Sequence, residues 1–480
     1  MHNNSITIKK SYIFNLLTQA INIIIPIVTT PYLIRTLGDE NIGFFNYAQS
    51  IVSYFVLFGC LGLNTYGQRE IAYNYSYPEK RLTIFRELFL IRLITFSIAI
   101  SLYIVFLLLF ADLKICYAVM SIELLANAID INWYYLGKVN FALQFYRTAI
   151  IKIIGALTIF LFVKNENDLI IYILCYSLSI FIGNGLMWFD FNNQISIRTR
   201  TKIDLKHHII PLLMMFIPEV AINVYTQLNK TMLGILTGLD YSSVAFYSQA
   251  DRIVKLALTV ITSLGGIMYS VISKALTDEG NSGAQKYFYK SFKYMMLLAC
   301  PISIGLFLVS SNFVTWFFGD TYLRISTCIK ILSPLIIVIG ISNLIGIQYM
   351  LPLKKMREYI FSIMVGVITN IVFNIIFIPR YLDIGASVAN LFAELAVSIT
   401  QLLMVRKEIN IKDLFWQWRP VLSSVVMGVI LFFFDLYLNA SIISTAIEIM
   451  VGMVIYLVCL YTMKEPLLYD VIDRIKIKKK

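Results

Sequence analysis

The sequence predicts an all-α protein that crosses a lipid bilayer many times. Three observations carry that expectation. Of 480 residues, 59% are hydrophobic and 14% charged, against roughly 45–50% and about 25% in soluble globular chains. Apolar runs of about 20 residues, each enough to cross about 30 Å of hydrocarbon as a helix, recur along the whole chain. The basic residues gather in alternate breaks between those runs rather than in one patch.

Dividing the chain at its polar and turn-rich breaks gives fourteen spans: 12–34, 42–65, 88–110, 115–136, 148–163, 169–191, 209–236, 244–272, 294–318, 327–350, 359–378, 386–404, 420–438 and 443–463. The first exceeds the roughly 7–15 apolar residues of a signal-peptide core and lacks a small-residue cleavage site, so it is expected to be a retained helix. The fifth is short and is expected to begin earlier. The N-terminal segment, the even-numbered loops and the C-terminal tail together hold 30 Lys and Arg, with Lys152 counted in the loop it borders. The odd-numbered loops hold five: Arg35, Lys114, Lys164, Arg324 and Arg380. Basic loops stay in the cytoplasm, so both termini are predicted to be cytoplasmic. A miscounted helix would invert every later loop, so the alternation checks the count. Arg92 and Lys330 sit near the ends of their spans and are expected to snorkel to the interface. The tail Arg474-Ile475-Lys476-Ile477-Lys478-Lys479-Lys480 suits an anionic lipid surface. The outer loops are short and leave no room for an outer domain.

The net charge of +12 does not indicate nucleic acid, because it is spread over membrane-flanking loops. Six cysteines (Cys60, Cys116, Cys175, Cys300, Cys328, Cys459) lie in apolar segments with no CxxC pair, so no disulfide framework or zinc site is signalled. The three histidines, His2, His207 and His208, argue against a metal or histidine-based active site. No P-loop, GxGxxG, HExxH or GxSxG is present, and no cofactor is expected. Asn439-Ala440-Ser441 fits the glycosylation pattern but lies in a very short loop.

An echo at a fixed offset of 200 residues pairs Leu33 with Leu233, Gly38 with Gly238, Tyr47 with Tyr247 and Gln49 with Gln249. In both places a helix ends, a glycine turns the chain and a new helix opens. Transporters often retain such repeats. The repeat predicts a lobe of helices 1–6 (residues 1–208), a lobe of helices 7–12 (209–404), and two appended helices with a basic tail (405–480).

Polar groups are costly in lipid and normally face a bundle interior or a wet cavity. Helix 1 carries Asn15, Gln19, Asn22, Pro26 and Thr29 on one stripe, and Pro26 is expected to kink it. Helix 7 carries Glu219, Asn223, Thr226, Gln227 and Lys230. Helix 8 carries Ser248, Arg252, Lys255, Thr259 and Thr262, and helix 12 carries Ser387, Asn390, Glu394 and Gln401. Lys230, Arg252 and Lys255 lie in two helices joined by a short loop, with Glu219 and Asp251 as partial counter-charges. A cationic cavity suits a pyrophosphate, since Arg matches phosphate oxygens bidentately and Lys adds a point charge. The candidate substrate-cavity set is Arg252, Lys255, Lys230, Glu219, Asn223, Gln19, Asn22, Gln49, Arg35 and Glu394.

The segment Pro31-Tyr32-Leu33-Ile34-Arg35-Thr36-Leu37-Gly38, with Gly43-Phe44-Phe45 and Ala48-Gln49-Ser50-Ile51 after it, resembles the first hairpin of the polysaccharide repeat-unit flippases. These are the O-antigen and capsule transporters of the multidrug/oligosaccharidyl-lipid/polysaccharide exporter superfamily. Further matches follow in order: Gly67-Gln68-Arg69-Glu70-Ile71-Ala72, Tyr225 through Leu233-Gly234, Tyr247-Ser248-Gln249-Ala250, and Ile378-Pro379-Arg380-Tyr381 before Gly385-Ala386. The resemblance implies a MATE-like two-lobed bundle alternating between inward- and outward-open states in a bacterial cytoplasmic membrane. It implies a transporter rather than an enzyme, with an undecaprenyl-pyrophosphate-linked oligosaccharide as substrate. A coupling ion, H+ or Na+, and polysaccharide polymerase machinery are the further implied partners. Asn229 departs from the pattern, because related sequences often carry an acid there.

Three other readings compete. A peptidoglycan lipid-precursor flippase would share the carrier lipid and the cavity charge. A MATE-type drug or cation antiporter would place carboxylates in the cavity, and helix 1 has none. A membrane glycan polymerase would need a sizeable outer loop with catalytic residues, which the chain lacks.

Overall fold

The computed structural model describes residues 2–192, 203–410 and 417–469, which are helical and contain no strand. The chain is an all-α polytopic membrane protein. Ten helices are long and apolar enough to cross a bilayer, and a bent pair, Asp320–Leu332 with Leu335–Met350, makes an eleventh. Three of the ten exceed a single crossing: α1 (His2–Cys60), α9 (Tyr241–Phe317) and α12 (Met356–Val405). Each has one residue with non-helical backbone: Gly38 (φ 81°), Gly280 (φ 69°) and Leu382 (φ 55°). Dividing the three helices there gives fourteen apolar helical segments among the described residues.

The left-handed backbone at Gly38 and Gly280 is open to glycine without a Cβ penalty. Leu382 has no such freedom, and its conformation costs on the order of 1–3 kcal/mol. The next residue offsets that cost. Asp383 is fully buried and lies 2.6 and 3.0 Å from two guanidinium nitrogens of Arg324, on α10 (Leu323–Leu332). The chain turns at Gly38, the residue of α1 with non-helical backbone, and Pro26 and Pro31 lie in the helical part before it.

By contact density the chain forms two packing units, Met1–Gln227 and Leu228–Lys480. The boundary falls inside the helix Lys206–Leu236 (α8). In the first unit, Leu63–Tyr73 (α2), Pro78–Leu109 (α3), Lys114–Ala128 (α4), Asn132–Gly137 (α5), Phe141–Phe162 (α6) and Leu169–Asn192 (α7) follow α1. Phe85, Trp133, Tyr134, Phe191 and Leu212 form its aromatic core. Gly67 lets Trp133 close in, since a Cβ there would lie 2.5 Å from the indole. Beside this core, Nε2–H of His208 faces Glu87 Oε2 at 3.1 Å, which leaves Nδ1 to accept from the Tyr66 hydroxyl at 2.8 Å. In the second unit, Trp418–Asp435 (α13) and Ile442–Thr462 (α14) pack through Met427, Leu431, Tyr456 and Leu460. Two polar ties fasten α14 to α9: Asn312 Nδ2 donates to Glu448 Oε1 (2.8 Å), and Trp316 Nε1 to Thr445 Oγ1 (2.8 Å).

Candidate functional site

The charged candidates are shared between the units: Lys230, Arg252, Lys255 and Glu394 lie in the second, Glu219 and Arg35 in the first. The second unit holds a group of three cations. Lys255, half-exposed, lies 2.7 Å from Asp251 Oδ2, and Asp251 is buried at 4% exposure. The two residues are one helical turn apart on α9 and meet on one face. Lys230, half-buried near the end of α8, is within electrostatic reach of Asp251, Lys255 and Arg252. Arg252 is exposed. Lys230, Arg252 and Lys255 thus group around Asp251 inside membrane-spanning helices, where charged side chains normally face the bundle interior or a wet cavity.

A neutral polar chain runs through the same unit. Asn229 Nδ2 donates to Tyr247 Oη (2.8 Å), and Asn374 Nδ2 lies 2.8 Å from Asn229 Oδ1 and 2.9 Å from Asn370 Oδ1. All four residues are buried. Asn229, conspicuous in the sequence only as a departure, thus links α8 to α12 through its amide. Glu394 is also buried and lies within electrostatic reach of Tyr247.

The first unit holds two carboxylates that line one cavity. A cavity of 390 Å³ is lined by Ser53, Asn64, Glu123, Asn127, Glu219 and Asn223, among others. Gln49 Nε2 donates to Glu123 Oε1 (2.8 Å), and Thr65 Oγ1 donates to Glu219 Oε1 (2.7 Å). Glu219 therefore lines a cavity with a second acid, and its hydrogen-bond partner is a hydroxyl rather than a cation. Sequence reasoning missed Glu123. An acid in the middle of an apolar span was the available signal.

Arg92 corrects a second expectation. It is fully buried, not snorkelling. Its Nε and Nη2 donate to the Asn127 carbonyl (2.9 and 2.6 Å), and its Nη1 donates to Asn64 Oδ1 (2.9 Å). Hydropathy starts this span at 88 and so makes Arg92 an end residue, whereas α3 begins at Pro78. Lys330 likewise turns inward, donating to Ser311 Oγ at 2.7 Å. Gln19, Asn22 and Arg35 are exposed on the part of α1 before Gly38. The basic tail lies outside the described residues.

Comparison with known proteins matches residues 8–276 to the family described as polysaccharide biosynthesis protein. One relative is the "Putative O-antigen transporter" of Escherichia coli (strain K12), 24% identical over 411 residues that cover 85% of this chain and 98% of the relative. The protein of the same description from Shigella dysenteriae is 24% identical over 403 residues, 83% of this chain and all of that one. Two solved structures share the fold. The lipid II flippase MurJ in an inward closed conformation gives a TM-score of 0.60 at 17% identity, covering 98% of this chain and 100% of that one. An inward-facing multidrug resistance MATE family transporter of the MOP superfamily gives 0.65 at 12% identity, covering 83% and 94%. The family match covers more than half of the 480 residues: the chain belongs to the polysaccharide biosynthesis protein family.

Proposed function

We propose that this transporter flips undecaprenyl-pyrophosphate-linked oligosaccharide repeat units across a bacterial cytoplasmic membrane for O-antigen or capsule synthesis. The observation that carries the reading is the grouping of three cations, Lys230, Arg252 and Lys255, within membrane-spanning helices. A pyrophosphate supplies the counter-charge, with Arg252 offering a bidentate fork and the lysines point charges. The names carried by the curated relatives agree with that substrate class. A second feature suits the lipid. A 620 Å³ cavity bounded by α9, α13 and α14 is lined by residues such as Leu297, Pro301, Leu306, Met427, Leu431 and Leu457, with few polar side chains among them. A polyprenyl chain is apolar throughout and matches such a wall.

In this reading the lobes 1–208 and 209–404 alternate access. Both termini lie in the cytoplasm, and H+ or Na+ drives the cycle. Polymerase machinery takes up the flipped unit. Deleting the gene and analysing both the surface polysaccharide and the lipid-linked pool tests it. Loss of polymer with complete repeat units trapped on the inner leaflet is expected, and their mass would identify the glycan. Normal polysaccharide with heightened sensitivity to cationic compounds would overturn the reading and assign the carboxylates of the first unit to a cationic substrate.

A further inference from the structure

Three metal-ligating side chains converge at the start of α8. Glu87, His207 and His208 each bring one ligand atom, and those atoms lie within 4.8 Å of one another. The tightest pair is His208 Nε2 and Glu87 Oε2, 3.1 Å apart. Two ligands on one tetrahedral ion stand roughly 3.3 Å apart when each bond is about 2.0–2.1 Å long. This pair therefore already has the spacing of one edge of a metal site. The side chains of His208 and Glu87 are 1% and 5% exposed, whereas that of His207 is 53% exposed. His207 thus has room to swing in and complete the set, and its side of the group is open for an ion to enter.

The surroundings hold these ligands in the state a metal needs. The Asp204 N–H donates to Glu87 Oε1 (2.8 Å), which fixes the carboxylate and leaves Oε2 toward His208. The Tyr66 hydroxyl meets His208 Nδ1 at 2.8 Å. A hydroxyl can donate or accept, so when an ion takes Nε2 the ring proton passes to Nδ1 and Tyr66 accepts it. The hydrogen bond that orients a histidine ligand is then already in place. Asp204 Oδ2 lies 3.6 Å from His207 Nδ1. Glu87 and Asp204 together carry two negative charges. They match a divalent ion at the N-terminal end of α8, where a cation without counter-charge is disfavoured. Glu70, also within electrostatic reach of His208, is matched by Arg69 at 3.4 Å.

We propose that Glu87, His207 and His208 form a binding site for a divalent transition metal, zinc, with Asp204 beside it as counter-charge. Two imidazoles and a carboxylate are ligands that zinc takes, whereas magnesium and calcium prefer oxygen alone. The ion ties α3 to the first turn of α8, the helix within which the first unit ends. Adjacent histidines have no metal-ligand spacing of their own, and Glu87 lies 121 residues before His208, so only the fold assembles the set. The site stands on its own geometry, whatever substrate is carried.

The test uses the purified full-length protein, freed of any histidine tag and stripped of metal by a chelator. Titration calorimetry with zinc chloride should show one equivalent bound per chain that His207→Ala loses or binds at least about tenfold more weakly. The unfolding temperature of the unmutated protein should rise with zinc saturably, and magnesium and calcium should leave it unchanged. His207 is exposed, so His207→Ala should unfold as the metal-free parent does, and its weaker binding then reports the lost ligand rather than a lost fold. A stripped parent protein that takes up no zinc would overturn the assignment without recourse to any variant. So would zinc binding undiminished in His207→Ala, which would place the ion on other side chains.

Discussion

Arg92 shows how a full charge is accommodated in a membrane-spanning helix without a carboxylate beside it. The Asn127 carbonyl is among the last four of α4, which have no partner inside their own helix. The guanidinium caps it at the negative end of the helix dipole, and the Phe96 ring lies 5.3 Å away. Arg92 is thus a structural cation, whereas Arg252 is an exposed one, and the two should respond oppositely to truncation. Arg252→Ala and Lys255→Ala should leave insertion and protein level intact but lower flipping, read as polymer yield in a deletion strain, about tenfold to a hundredfold. That is the worth of one charge-assisted hydrogen bond of about 1.5–3 kcal/mol. Equal loss in Arg252→Lys would mean that the planar fork is required. Normal yield from the double alanine variant would remove these residues from the substrate site. The cation cluster was legible in the sequence because charges inside apolar spans are rare and helical spacing groups them. The acidic cavity was not, because Glu123, Gln49 and Glu219 lie on three helices distant in sequence, and only folding brings them together.

At the scale of the element, glycine-opened turns set where the helices end. Gly38 and Gly238 both have positive φ, 81° and 66°, as the 200-residue echo anticipates. The echo persists in packing: Leu33 and Leu233, and Tyr47 and Tyr247, are all buried. Gly62, between α1 and α2, also has positive φ (74°), and a Cβ there would lie 2.7 Å from Phe216 N and 2.8 Å from the Leu212 carbonyl on α8. At Gly38 the nearest such atom is 4.0 Å away. Gly38→Ala should therefore lose only the positive-φ backbone term, on the order of 1–3 kcal/mol. Gly62→Ala should lose more, because two backbone atoms of α8 must move. Thermal unfolding of the two purified variants compares them, and an equal loss would show that the Gly62 turn does not fix α8. The apolar centre of each helix was legible in sequence, but its ends were not. Hydropathy falls where a helix leaves the hydrocarbon, while the hydrogen-bonded spiral continues into water. Thus α3 starts ten residues before its predicted span, at Pro78 rather than 88.

At the scale of the molecule, the positive-inside distribution and the backbone breaks make one joint statement about orientation. If both ends are cytoplasmic, as proposed, fourteen crossings would put Gly38 and Leu382 on the outer side and Gly280 on the inner side, since the first two follow an odd number of crossings and the third an even number. The charge count agrees without using any coordinate: Arg35 and Arg380 are the only basic residues in the loops of the two outer breaks, while Lys274, Lys286, Lys290 and Lys293 surround Gly280. Single cysteines at exposed positions read this directly, because four of the six native cysteines are buried and the other two only partly exposed. In intact cells an impermeant maleimide should label Lys114→Cys, Lys164→Cys and Arg380→Cys. It should reach Glu79→Cys, Asp278→Cys and Lys407→Cys only after the membrane is opened. Inverted labelling at all six positions would reverse the orientation but keep the count. Labelling that inverts only beyond one position would show that a helix before it does not cross, and the parity that places Lys230, Arg252 and Lys255 on the outward half of their helices would fail with it.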